Sequence, residues 1–391
     1  MKKFPTAPSD TAEVVELARQ LIRFDTVNSP GKEEVAMRHL ASYLQGYGIE
    51  TTIDPLEPGR ANLVAPLRGR SDTGHLVLSG HMDVVAVGEM PWEHDPFAAE
   101  VVNGRLVGRG AADMKGGVAA MAVALTTLAR RGFAPAADLI LAVSAGEERG
   151  GYGAKPLAAT RCLDGCKQIV VGEPTGLEVC PAMRGAIGWT ITIRGKVAHS
   201  STPHLGVSAI SYALCAALTL EETPFAREPH DLLGLAVVSI SSIQSPPRSN
   251  TVPDLCTVVV GIRLNPGNDP DAAEAQLNEV LSEVRDSSGL SVQCEIERIG
   301  FVSPLETDRN HPLLRAARDS VAEAIGRDAV VRGFPGGTDA LHLAPAYNAP
   351  FVILGPGKFE QAHQTNEYLD IDELEAATWV YIGVAERLLG R

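Results

Sequence analysis

Four apolar runs in this chain each lead into a histidine or an acid, and that recurrence narrows the folds open to it. His75-Leu76-Val77-Leu78-Ser79-Gly80 runs into His81 and Asp83. Asp138-Leu139-Ile140-Leu141-Ala142-Val143 runs into Glu147-Glu148. Gln168-Ile169-Val170-Val171 runs into Glu173, and Pro350-Phe351-Val352-Ile353-Leu354 runs into a turn-rich stretch carrying His363. Short continuous apolar runs read as strands buried on both faces. In open α/β sheets, ligands bind at the edge formed by the carboxyl ends of the strands. An imidazole and a carboxylate two residues apart at such an edge form a geometry that can hold a metal ion.

The rest of the chain alternates around these runs. Residues 11–23 and 33–46 carry helical apolar stripes. Strand-like runs follow near 51–53, 61–67 and 101–107, and residues 115–131 read as a buried helix, apolar nearly all round. This alternation favours an α/β fold with a largely parallel or mixed sheet covered by helices. From about residue 180 the pattern changes. Strands at 188–195, 235–243, 256–264 and 290–296 enclose helices at 206–220 and 270–286. The order β-α-β-β-α-β is the split arrangement of ferredoxin-like folds. Residues 180–297 therefore read as an inserted domain between the two parts, 1–179 and 298–391, of a catalytic metal-binding domain. After the insertion come a helix at 311–325, strands at 329–332 and 350–354, and a final helix from about Asp372. A length of 391 residues accommodates two domains.

Composition excludes some classes. A formal net charge of −14 argues against nucleic acid or an anionic membrane as partner. No apolar stretch approaches the roughly 20 residues that span a bilayer. Met1-Lys2-Lys3-Phe4-Pro5 is not followed by an apolar segment of the secretory type. Six cysteines are scattered, and only Cys162 and Cys166 are close. Reduced thiols in a cytoplasmic protein are the expectation.

Five residues are candidate metal ligands: His81, Asp113, Glu148, Glu173 and His363. Two imidazoles and three carboxylates suit zinc, with cobalt or manganese as alternatives. If one carboxylate bridges, five side chains give three contacts to each of two ions, and room is left for a shared water. Asp113 lies just before the 115–131 helix in a Gly-rich segment, 108–117, and is the natural bridge. Asp83 shares a strand face with His81 if the extended geometry persists, and can then accept a hydrogen bond from its second ring nitrogen. Glu147 adjoins Glu148 but points elsewhere, so it suits a general base. Taken singly these residues carry little. A lone histidine is more often a core or surface residue, as His39, His75, His94, His230, His311 and His342 are read here, and a Glu-Glu pair is usually a solvated helix face. Their joint placement after consecutive strands carries the inference. The chain has no Gly-x-Ser-x-Gly, Walker A or His-Glu-x-x-His motif. Gly108-Arg109-Gly110 begins like a dinucleotide loop, but Asp113 stands at the third glycine position.

Several segments together resemble the M20 metallopeptidase and deacylase family: His81-Met82-Asp83, Asp113-Met114-Lys115-Gly116, Glu147-Glu148 followed by Gly153-Ala154, Gly172-Glu173-Pro174-Thr175, and Ala362-His363-Gln364. The resemblance covers nearly all of the chain after about residue 10. It implies a zinc-exopeptidase-like fold with an inserted lid or dimerisation domain. It implies two zinc ions, with His81 and Glu173 on one, Glu148 and His363 on the other, and Asp113 between them. Glu147 is then the base, Asp83 orients His81, and the Asp113–Met114 peptide is cis. Ile193-Arg194-Gly195-Lys196-Val197-Ala198-His199-Ser200-Ser201 resembles the segment whose histidine stabilises the oxyanion, often across a dimer. Asn250-Thr251-Val252-Pro253 and Arg263 resemble positions that bind the substrate carboxylate, and Gly337-Thr338 a substrate-binding turn. Within the family, the Leu354–Gly357 and Ala362–Leu369 stretches look closest to the acetylornithine deacetylase branch. The Gly336–Ala340 turn is more like general members, including succinyl-diaminopimelate desuccinylases and aminoacylases. The implied protein is a cytoplasmic homodimer of amino-acid biosynthesis that hydrolyses a small N-acyl amino acid or a short peptide. A desuccinylase, a di- or tripeptidase or carboxypeptidase, and a non-catalytic metal or amino-acid binder are the alternatives.

Overall fold

In the computed structural model, which describes residues 8–225, 228–285, 289 and 292–390, the four apolar runs become neighbouring strands. Their order across the sheet is Leu139–Ser144, His75–His81, Cys166–Val171, Phe351–Ile353, and all four run parallel. His75–His81, Leu139–Ser144 and Phe351–Ile353 are buried at every position. Strands covered on both faces disfavour charged side chains except near their ends, which explains the apolar composition of these runs. Because the four are parallel, their carboxyl ends share one edge. Outside them the sheet turns antiparallel, with Arg60–Leu67 on Leu139–Ser144 and Thr52–Glu57 beyond. The sheet is thus mixed, as the alternation suggests.

Helices cover it. Gly116–Arg130 is buried from Gly116 to Leu128 and packs against Pro8–Ile22 and Ile371–Leu389. A Cβ at Gly117 would stand 2.3 Å from the carbonyl oxygen of Gly172. Only glycine lets the helix start this close to the strand end that carries Glu173.

Packing divides the chain into two compact units, one made of the segments up to Pro181 and from Glu306, the other of Ala182–Leu305. The second unit holds an antiparallel sheet in the order Val237–Gln244, Leu255–Arg263, Ala186–Arg194, Gln293–Val302. Its helices are Ala209–Glu222 and Pro270–Glu283, so this sheet and its helices follow β-α-β-β-α-β along the chain. Ile187, Trp189, Ile191 and Ile193 alternate with half-buried neighbours and form a core with Val258, Val260, Tyr212 and Leu277. Both helices start on a side-chain cap. Ser208 accepts from the Ser211 amide, and Asp269, ahead of Pro270, accepts from the Asp271 amide.

Several boundaries differ from the sequence reading. The run at 101–107 is a hairpin, Glu100–Val102 and Arg105–Val107, turned at Asn103 (φ 51°) and Gly104 (φ 78°). Asn-Gly supplies the two positive φ values that a tight hairpin needs. The last strand of the second unit runs on to Val302, past the expected end at 296, and the unit itself extends past 297 to Leu305. Leu290 and Asp286, placed at element ends from the sequence, lie outside the described residues, as does the segment Met1–Pro5. The strand Val179–Met183 and the helix Ala340–Tyr347 were not anticipated. Among the described residues, no helix is long and apolar enough to cross a membrane.

Candidate metal centre

At the shared strand edge the two carboxylate oxygens of Asp113 face two different imidazoles. His81 Nε2 lies 3.0 Å from Oδ1, and His363 Nε2 lies 3.3 Å from Oδ2. Each imidazole has a second carboxylate beside it. Glu173 Oε1 is 3.8 Å from His81 Nε2, and Glu148 Oε1 is 2.8 Å from His363 Nε2. Ligand atoms of His81, Asp113 and Glu148 all fall within 4.8 Å of one another. The five candidate ligands are therefore brought together from five segments far apart in sequence.

Local structure explains each placement. His81 is the last residue of its strand. Asp113 sits in the irregular turn Ala111–Lys115 that leads into Gly116–Arg130, with extended dihedrals of its own and a cis peptide to Met114. Glu147 and Glu148 form the single 3₁₀ turn Glu147–Arg149 just after Leu139–Ser144. His363 takes a left-handed conformation, φ 65°, in the loop after Phe351–Ile353.

Asp83 does more than the sequence indicates. Its backbone carbonyl lies 3.0 Å from His81 Nδ1, nearer than its carboxylate oxygen Oδ1 at 3.5 Å. The carboxylate accepts from Asn28 Nδ2 at 2.7 Å and from the amides of Glu147 and Glu148 at 2.9 and 3.2 Å. One buried acid thereby ties the His81 strand end to the Glu147–Glu148 turn. No sequence spacing shows that link, since 64 residues separate Asp83 from Glu147.

Five carboxylates, Asp83, Asp113, Glu147, Glu148 and Glu173, and two imidazoles in one place create a strong demand for positive charge. Desolvation would raise the pKa of Asp113, but the hydrogen bonds and charges of His363 and His81 hold it well below the usual range. Burial disfavours the charged form of His81, yet Asp113, Asp83 and Glu173 overcome it and raise its pKa well above normal. His363 is pushed up to about 10 by its hydrogen bonds to Asp113 and Glu148. Desolvation and the neighbouring acids push Glu147 and Glu173 well above the ordinary carboxyl value. Such a cluster is relieved by divalent cations, and its imidazole and carboxylate donors suit zinc, cobalt or manganese.

Three buried groups at this edge escaped sequence reasoning. Asp339 is buried, hydrogen-bonded to the Ser144 hydroxyl, and raised to about 6 by burial. Arg109 and Glu367 form a buried ion pair behind Asp113. The one available signal was a charged residue between two glycines, Gly108-Arg109-Gly110, in an otherwise apolar segment. Of the expected substrate turn, Thr338 is buried and its hydroxyl accepts from the Ala340 amide at the start of Ala340–Tyr347. Gly337 directly precedes it.

The remaining expected residues belong to the second unit. His199 pairs with Thr251 in a two-stranded ribbon, and the Asn250 carbonyl accepts from the Ser200 amide at 3.0 Å. His199 and Asn250 are thus neighbours, both exposed. Arg263 is at the far end of Leu255–Arg263, the strand that begins just after this ribbon. Nine extended residues span ~26 Å, so Arg263 is not brought to His199 and Asn250 within this unit.

Comparison with known proteins places this geometry among relatives. A model of peptidase family M20/M25/M40 matches residues 77–387. A probable succinyl-diaminopimelate desuccinylase of Staphylococcus aureus is 30% identical, with 92% of this chain and 93% of that protein aligned. Among solved structures, a tripeptidase from Staphylococcus aureus has a TM-score of 0.79 at 22% identity, covering 97% of this chain and 98% of the other. A dinuclear metal binding peptidase of the M20 family from Bacillus subtilis has a TM-score of 0.71 at 19% identity, with 97% and 98% covered.

Proposed function

The chain belongs to peptidase family M20/M25/M40, and from that premise we propose that this metallohydrolase cleaves the amide bond of small N-acyl amino acids at a two-metal site. The observation that carries the reading is Asp113, whose two oxygens each face a different imidazole. His81 and Glu173 would hold one ion, Glu148 and His363 the other, and Asp113 both. Two divalent cations bound there would supply a Lewis acid for the acyl carbonyl and a lowered pKa for attacking water. Zinc is the first choice, with cobalt or manganese as alternatives.

The chain's own residues do the rest. Glu147, its carboxyl pKa raised by burial, takes the water proton and delivers it to the leaving nitrogen. Asp83 fixes the backbone of that base and the ring of His81. His199 Nδ1 accepts from the Ser201 amide at 3.2 Å, which supports the tautomer with its proton on Nε2, ready to donate to an oxyanion. Asn250 and Arg263 would hold the substrate carboxylate, Arg263 through its planar fork, and Gly337-Thr338 would offer backbone amides to an anion.

The ~26 Å between Arg263 and the His199–Asn250 ribbon supports a homodimer. A small substrate gripped by Arg263 of one chain cannot meet His199 of the same unit, so a second copy would supply it. The exposed side chains Ile210, Leu214 and Leu218, at helical spacing on Ala209–Glu222, give such a partner an apolar stripe. The second unit would then serve as the dimerisation or lid domain. Six free thiols suit a reducing cytoplasm.

Metal analysis joined to a substrate panel tests the proposal. The panel contains N-succinyl-diaminopimelate, N-acetylornithine, and di- and tripeptides. We expect two divalent ions per chain and turnover of an N-acyl amino acid above any peptide, with the succinyl compound first because the relative at 30% identity carries that name. Faster hydrolysis of a tripeptide would move the assignment to a peptidase. Fewer than two ions, or no amide hydrolysis by the metal-replete protein, would overturn it.

A further inference from the structure

Arg109 and Glu367 are 1% and 0% exposed, with Nη1 and Oε2 2.6 Å apart. Such a pair is by itself weak evidence for a contribution to stability, because desolvating two charges offsets their attraction. The remaining hydrogen bonds of this pair are more informative. Glu367 accepts from the backbone amides of Gly110 (3.0 Å), Ala112 (2.8 Å) and Asp113 (3.1 Å). Its backbone carbonyl accepts from the Gly108 amide at 3.0 Å. Arg109 donates to the carbonyls of Gln364 (3.2 Å), His363 (3.4 Å) and Ala86 (3.2 Å).

Each partner of this pair thus belongs to a segment that carries a candidate ligand. Glu367 holds the turn of Asp113, down to the Asp113 amide itself. Arg109 holds the main chain of His363 and the segment three residues beyond Asp83. Behind Asp113 itself, which faces His81 and His363, this pair ties together the Asp113 turn, the His363 loop and the segment beyond the His81 strand.

We propose that Glu367 and Arg109 are positioning residues that set the distance between Asp113 and His363 for the second ion. This rests on the ligand roles given to Asp113 and His363 above. Neither side chain touches substrate or the reacting atoms. They act through the backbone of the ligands, as hydrogen-bond partners behind a metal site do, where loss costs about 10–100-fold in metal affinity. A carboxylate filled by four donors also holds the anionic cluster in place before any ion arrives, so the site is preorganised rather than assembled by the metal.

Arg109→Lys and Glu367→Gln test this in the full-length chain, through chelator competition with zinc, the visible spectrum of the cobalt form, and thermal unfolding of the metal-free protein. Lys keeps the charge but cannot span Glu367 and the carbonyls together. If the pair only stabilised the fold, Lys would restore both stability and metal binding. We expect Arg109→Lys to unfold near the temperature of the unaltered metal-free protein, while at least one ion binds 10-fold or more weakly and the cobalt band changes. Glu367→Gln should weaken the same ion and also lower the unfolding temperature, because it leaves Arg109 buried without a counter-charge. Unchanged affinities and an unchanged cobalt spectrum in a folded Arg109→Lys protein would overturn the inference and leave the ligand assignment standing. An unaltered chain that binds fewer than two ions would overturn both.

Discussion

Leu139–Ser144 in the first unit is buried at all six positions, whereas Ala186–Arg194 in the second alternates buried and half-buried residues over its length. The first strand lies between two sheet neighbours and packs against Gly116–Arg130. The second has its helix-covered core on one face only. This difference decides where chemistry can sit. In the first unit, polar side chains are forced to the strand ends, and because the central strands are parallel those ends coincide. Five ligand candidates converge without any being neighbours in sequence. In the second unit the strands leave one face open along their length, and the candidate groups spread out. His199 and Asn250 lie on a ribbon at one end, Arg263 at the other. A buried parallel sheet concentrates function at an edge, and a half-open antiparallel sheet distributes it.

The hardest test of this contrast is Glu147→Gln. If the strand edge of the first unit holds the reaction, turnover falls by at least about 10²-fold while metal content stays at the level of the unaltered protein. Undiminished turnover in the metal-replete variant would remove Glu147 from the base role. Next in size is His199→Ala, with a fall of about 10²-fold in turnover, the loss of one oxyanion donor, and no change in metal content. Mixing His199→Ala chains with Glu147→Gln chains sharpens the comparison. Activity recovered in the mixed dimer means that the second unit serves its partner's strand edge, and a mixture as inactive as its parents places His199 in its own chain. The smallest effects are on stability. Leu141→Ala should cost about 2–5 kcal/mol by leaving a cavity in the doubly covered sheet. Ser239→Ala, on an exposed position of the second unit, should stay within about 0.5 kcal/mol. Denaturant unfolding measures both, and equal costs would contradict the two-faced burial that separates the sheets.

Much of this architecture is legible in residue patterns. The four strands announce themselves as continuous apolar runs, and the helices of the second unit are read at 206–220 and 270–286, close to Ala209–Glu222 and Pro270–Glu283. Asn103-Gly104 was equally informative, but the apolar residues on either side, Val101, Val102, Leu106 and Val107, mask the turn as one strand. The helix Ala340–Tyr347 was hidden by Pro345 inside it, since a proline beyond the first turn argues against a helix. Placement along the chain named the ligand candidates, the family resemblance implied a cis peptide at Asp113–Met114, and the structure has that peptide cis.

The contacts that organise the centre are a different matter. Asp83 bonds to amides 64 and 65 residues away, Glu367 to amides more than 250 residues away, and Arg109 to carbonyls equally distant. Sequence alone determined which residue types stand at the strand ends, because burial on two faces disfavours charged groups in the middle of those strands. Only the tertiary structure decided which ends meet, how far apart their donors lie, and which buried charges hold them there. Hydrogen bonds from a side chain to distant backbone leave no periodic trace in the chain, since any residue can supply an amide or a carbonyl.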